Sequence, residues 1–107
     1  MDKIAYLFKS RKISRINEQE KERYLNFFSE SYKENFDHCK FVLEKFPRWS
    51  IISGYYAMHD LSKLFLADKF SIKIELNVHQ NVIDILNALL KNKELGKMLD
   101  IGYKELF

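Results

Sequence analysis

From Asn17 to Phe46 the chain places Tyr24, Phe28, Tyr32, Phe36, Cys39, Val42 and Phe46 three or four residues apart. That repeat is one face of an α-helix. Lys21, Glu22, Glu30, Lys33, Glu34, Lys40 and Glu44 fall opposite it. Asn17 and Glu20 stand in capping-box spacing, which satisfies the orphan N–H groups where a helix begins. Pro47 stops the run, because proline has no N–H to donate and disfavours helical geometry in the residue before it. The predicted helix has about 28 residues and a length of roughly 42 Å.

Proline is tolerated in the first turn of a helix, so Pro47 also opens the next one, predicted to run to about Asp68. Apolar residues cover most of its circumference, the mark of a central helix with several neighbours. Ile51, Gly54, Tyr55, Met58 and Phe65 share one face, and Ser50, Ser53 and Ala57 form a small-residue stripe that admits a close neighbour. Tyr56, His59, Asp60 and Lys63 occupy the remaining arc, together with Ile52 and Leu66.

The flanking segments are shorter. "DKIAYLFKSRKIS" reads as a short helix with Ile4, Leu7 and Phe8 on one side, ending in a basic turn. "KFSIKIEL" alternates strictly, a strand pattern. With no partner strand in view it is expected to be an extended connection laid on the bundle, and pairing with its own copy across a dimer is the lesser alternative. Asn77 to Gln80 is a second plausible cap, opening a helix with Val82, Ile85, Leu86 and Leu89 inward. Leu95, Met98, Leu99, Gly102, Tyr103 and Leu106 line one face of a last helix, which Gly96 and Gly102 weaken by about 1 kcal/mol each. The expectation is an all-α fold, an up-and-down bundle of four to five helices, forming a single domain over residues 1–107.

Composition supports this reading. Only three Gly and one Pro leave few tight turns, against a sandwich or barrel. The net charge of +3 is too mild for a nucleic-acid footprint by itself. The basic excess is local: Lys9, Arg11, Lys12 and Arg15, with Lys3, crowd the N-terminal segment, and could meet RNA or phosphate or form an ordinary solvated turn. Cys39 stands alone, so no disulfide forms within the chain and a reducing compartment is expected. Charges interrupt the apolar run of Met1–Arg15, which does not read as a signal peptide, and nothing approaches the roughly 20 apolar residues of a membrane span. A cytoplasmic protein with no membrane partner is expected.

Trp49, then Gly54-Tyr55-Tyr56-Ala57-Met58, then Leu64, and finally His79 ahead of Val82, resemble the HEPN family of small prokaryotic helical bundles. The likeness covers roughly residues 3 to 90. It implies a homodimer paired with a minimal nucleotidyltransferase, in toxin–antitoxin-type or nucleotide-binding systems. The chain departs from the family pattern in two places. His59-Asp60 stands where the family has Phe-His, which turns the imidazole by about 100° around the helix. The family's ribonucleases carry Arg, four to six residues, then His on a late helix. None of Arg11, Arg15, Arg23 and Arg48 has a histidine at that spacing, and the family's final helix is expected to be missing or cut short at Phe107. A non-catalytic module is therefore expected, with no cofactor.

Tyr56, His59, Asp60, Lys63 and His79 remain as candidate ligand contacts. His59 and Lys63 lie one turn apart and would face a phosphate or nucleotide, with Asp60 orienting Lys63. The plain alternative is that these residues are the helix's solvent edge. His79, near a helix start, would be kept neutral by the helix dipole and serve as an anchor or a ligand contact. A metal would need His59, Asp60 and His79 to converge at a spacing that fits no standard zinc pattern, and none is expected. The alternatives to a non-catalytic module are a ribonuclease toxin using His59, Asp60 and Lys63 as a non-standard site, and simple nucleotide or phosphate binding there.

Overall fold

Five helices and one two-stranded ladder follow in the order α1 (Lys3–Lys9), β1 (Ile13–Arg15), α2 (Glu18–Val42), α3 (Pro47–Phe70), β2 (Ile72–Ile74), α4 (Val78–Leu90) and α5 (Lys93–Leu106). The structure, a computed structural model, describes residues 2–76, 78–90 and 93–106, without the side chains of 93, 95, 96, 105 and 106. The fold is all-α, a helical bundle. No helix among the described residues is long and apolar enough to cross a membrane.

α2 begins where its cap places it, with Glu20 N–H donating to Asn17 Oδ1 at 2.9 Å. It ends at Val42, four residues short of the expected Phe46, and residues 43–46 turn the chain into α3. Pro47 is the first residue of α3. The two long helices form an antiparallel hairpin, since their partners step in opposite directions: Ser31 with Asp60, His38 with Ser53, and Cys39 with Ser50. The small-residue stripe makes this approach possible. Ser50 and Ala57 are fully buried and Ser53 nearly so. A Cβ added at Gly54 would sit 3.4 Å from Cys39 Sγ.

Three expectations change here. The alternating segment does have a partner: β2 pairs antiparallel with β1 of the same chain, Ile13 opposite Ile74 and Arg15 opposite Ile72. The basic turn ends α1 earlier than expected. Arg11 adopts a left-handed conformation, φ 62°, which reverses the chain and frees residues 13–15 to extend. The aromatic stripe of α2 is only half-buried, Cys39 included, and no α2 residue is fully buried, because α2 covers one side of α3 and leaves its outer flank open. Trp49, in the first turn of α3, stands 57% exposed.

The core lies instead at the other end of α3. Leu7, Ile13, Leu66, Ile72, Val82, Ile85, Leu86 and Leu99 meet there, bringing α1, the ladder, α4 and α5 against the C-terminal half of α3. Val82, Ile85 and Leu86 point inward as the period of α4 requires, with Leu89 packed beside them. The predicted cap at Asn77 and the side chains of Leu95, Gly96 and Leu106 lie outside the described residues.

Candidate functional site

α3 brings Tyr55, Tyr56, His59, Asp60 and Lys63 to one side, and the first turn of α4 and the last turns of α5 complete a cleft there. Its lining is Tyr55, Tyr56, His59, Asp60, Lys63, Val78, His79 and Tyr103, around a volume of about 380 Å³. All five candidate ligand contacts, Tyr56, His59, Asp60, Lys63 and His79, therefore converge. Two reasons are visible in the chain. Steps of three and four residues along α3 keep 56, 59, 60 and 63 in one arc. The β1–β2 ladder then turns the chain so that α4 starts alongside that arc.

The solvent-edge reading fails for His59 and Asp60, while Tyr56 stays exposed and Lys63 half-buried. His59 is 6% exposed and Asp60 8%, because α4 and α5 close over the histidine while α2 closes over the aspartate. Asp60 does not orient Lys63. Its Oδ2 accepts from Ser31 Oγ at 2.6 Å and from Asn35 Nδ2 at 3.0 Å, both on α2. Lys63 instead lays its amine over the Phe28 ring, 5.0 Å from the centroid. Half-burial lowers its pKa, and Asp60 opposes that shift.

His59 and His79 stack almost parallel, with ring centroids 6.2 Å apart and planes 16° apart. Tyr103 stacks on His79 at 4.1 Å. The Tyr55 hydroxyl lies 2.7 Å from His79 Nδ1. Burial first, then Tyr56 and Tyr103, push the Tyr55 phenol up to about 12, so it stays protonated. His79 Nε2 is buried and lies 3.6 Å from Asp100 Oδ1, beyond hydrogen-bond length. Asp100 is held below the ordinary carboxylate range, mainly by the hydrogen bond from Lys104. His59 is pushed down to about 4 by burial, with Lys63 and then His79 adding to the effect. It is neutral at pH 7.

Tyr103 and Asp100 are functional neighbours that the sequence reading missed. They sit on α5, which carries no histidine, 24 and 21 positions after His79, and only the fold places them beside it. Their signal was the amphipathic period of α5, which reads first as packing. Gly102 is part of the same arrangement, since a Cβ there would lie 3.1 Å from Tyr55 Cδ2. Its missing side chain lets α5 press on the ring. His38 was also passed over. Its Nδ1 and Ser53 Oγ share a hydrogen bond that ties α2 to α3.

The basic residues form no single surface. Arg15 lies over the Phe8 ring at 4.7 Å and donates to the Phe70 carbonyl at 2.7 Å. Lys12 lies over Tyr6 at 5.3 Å. Arg11 and Arg15 flank a shallow hollow with Glu75, while Lys9 is exposed beyond it. Lys12 faces a different hollow, on the side of His79. Among the described residues no three His, Cys, Asp or Glu side chains are grouped so as to hold a metal ion, since Asp60 turns to α2 while the two histidines stack.

No family model matches this chain, and neither a curated protein nor a solved structure does.

Proposed function

We propose that the chain is a HEPN-type helical module that works by association: it forms a homodimer through an open apolar groove and pairs with a minimal nucleotidyltransferase. The observation that carries the first part is the groove. It lies between α2, α3 and α5, with a volume of about 780 Å³, and its walls include Phe36, Ile51, Leu61, Met98 and Ile101. These five side chains are between 43% and 60% exposed, an apolar area of the kind that marks an interaction surface on a small domain. Burying what remains exposed on them would contribute about 4–7 kcal/mol per protomer. Two protomers together then match the roughly 4–15 kcal/mol that association costs.

The Gly54–Met58 segment lies beside this groove, which supports reading the family likeness as a likeness of assembly. The pairing with a nucleotidyltransferase rests on that likeness. The absence of the family's Arg…His spacing, and the engagement of Asp60 by α2, support a module without ribonuclease chemistry. Co-expression of tagged and untagged copies tests the proposal, together with any minimal nucleotidyltransferase encoded beside the chain. The untagged copy should be recovered with the tagged one, and so should the nucleotidyltransferase. Recovery of the tagged copy alone refutes both parts.

A further inference from the structure

The turn between α2 and α3 carries an apolar surface that the proposed association leaves unused. Phe41 is 89% exposed, Leu43 and Phe46 58% each, and Trp49 57%. Every residue from 43 to 49 is exposed, so no other part of the described chain covers this turn. None of the four side chains lines the groove between α2, α3 and α5, and none belongs to the core. From Trp49 to the core residue Leu66, α3 rises about 25 Å. The four therefore stand at the projecting tip of the hairpin. The charge among them is net positive. Lys45 and Arg48 are exposed in the same turn and make no ion pair with any described residue, while Lys40 is engaged by Asp37 at 3.6 Å. Glu44 is the one carboxylate between positions 41 and 49, and the first turn of α3 has none.

We propose that this tip docks on an anionic lipid bilayer, with Phe41, Leu43, Phe46 and Trp49 entering the boundary between headgroups and acyl chains and Lys45 and Arg48 meeting the lipid phosphates. Aromatic and leucine side chains beside lysine and arginine suit that boundary. The basic heads reach the headgroups while their stems stay in apolar surroundings. Charge and size decide between occupants. A second copy would set Lys45 and Arg48 against the same two cations, and like charges face to face oppose contact. Nine residues around a turn also fall short of the roughly 20–30 residues a side of a stable protein interface. An anionic bilayer supplies the negative charge and the apolar layer beneath it, and needs no shape to match the turn. Each cation strengthens attachment about fivefold. This departs from the expectation of no membrane partner, which followed from the lack of an apolar span. A tip held at the interface needs no span. Nor does it need the dimer, since every residue involved belongs to one chain.

Trp49 is the chain's single tryptophan, so its fluorescence reports on the tip directly. The full-length protein is titrated with phosphatidylcholine vesicles made with and without phosphatidylglycerol. With the anionic vesicles, Trp49 emission should shift to the blue and be quenched by brominated acyl chains, and the protein should float with the vesicles through a density gradient. Attachment to the neutral vesicles should be about tenfold or more weaker. Phe41→Ser/Phe46→Ser, at two exposed positions, should weaken attachment about tenfold or more at unchanged helical content. Lys45→Gln/Arg48→Gln should remove the preference for anionic vesicles. Any of four results would overturn the proposal: no flotation and no emission change with anionic vesicles, equal attachment to neutral and anionic vesicles, undiminished attachment of folded Phe41→Ser/Phe46→Ser, or Trp49 emission that is already blue without vesicles and unmoved by them. The last result would assign the tip to a protein surface instead.

Discussion

Replacing Asp60 is the sharpest perturbation of the α2–α3 hairpin. Its carboxylate is 8% exposed and accepts two hydrogen bonds at one oxygen, from Ser31 at 2.6 Å and Asn35 at 3.0 Å. Hydrogen bonds to a charged group contribute about 1.5–3 kcal/mol each. Ser31 and Asn35 are half-buried, so water can re-solvate part of what Asp60→Ala leaves open. We expect a loss of about 2–4 kcal/mol for Asp60→Ala, and about 1–2 kcal/mol for Asp60→Asn, which keeps the shape and loses the charge. Urea unfolding followed by far-UV circular dichroism measures this, with an unchanged m-value as the check that the unfolded state has not altered. A double-mutant cycle with Ser31→Ala isolates the 2.6 Å bond and should return a coupling of about 1–2 kcal/mol. An Asp60→Ala loss below about 0.5 kcal/mol, the range of an ordinary surface change, would refute the claim that this carboxylate joins the two helices.

Other consequences follow from the same geometry. His59 has a folded-state pKa near 4 against an ordinary 6.5, so the unfolded chain binds the extra proton first. Its contribution is complete above pH 6.5 and is lost as pH falls from there toward 4, by up to about 3 kcal/mol. His59→Gln should flatten that limb of a stability–pH curve, and an unflattened limb would contradict the burial argument. Gly54→Ala places its Cβ at ordinary contact with Cys39 Sγ and should raise stability by up to about 1 kcal/mol through helix propensity. Gly102→Ala should gain nothing or lose about 1 kcal/mol, because its Cβ meets a Tyr55 ring pinned by His79. Urea midpoints moving the same way in both variants would refute this contrast. Asn17→Ala removes the cap on Glu20 N–H and should lower stability by about 1 kcal/mol, read from thermal unfolding.

The long-range outcome of local patterns was only partly legible. Helical period, the Asn17 cap and Pro47 are local signals, and they located α2 and α3 to within a few residues. The arc of 56, 59, 60 and 63 is also local, because it needs only the geometry of one helix. The β1–β2 ladder was hidden because Ile13, Ser14 and Arg15 are too few to alternate visibly, and follow a helix whose own period masks them. The burial of His59 and Asp60 could not be read from α3 alone. It depends on α2 covering one and on α4 and α5 covering the other. For the same reason Tyr103 looked like packing: its stacking on His79 is a property of where two helices meet. The α2 aromatics looked like core residues because hydrophobicity marks a face for burial without saying whether the chain itself supplies the cover.

That last point is the crux of the functional account. Sedimentation equilibrium on the wild-type chain and on the double variant Ile51→Lys/Ile101→Lys tests it most directly. Each substitution places a charge on a groove residue that is about 60% exposed. The account predicts twice the 12.9 kDa chain mass for the wild type. For the variant it predicts a 12.9 kDa species with unchanged helical content. A wild-type protein that sediments as a monomer at high concentration, or a variant that remains dimeric, would contradict it.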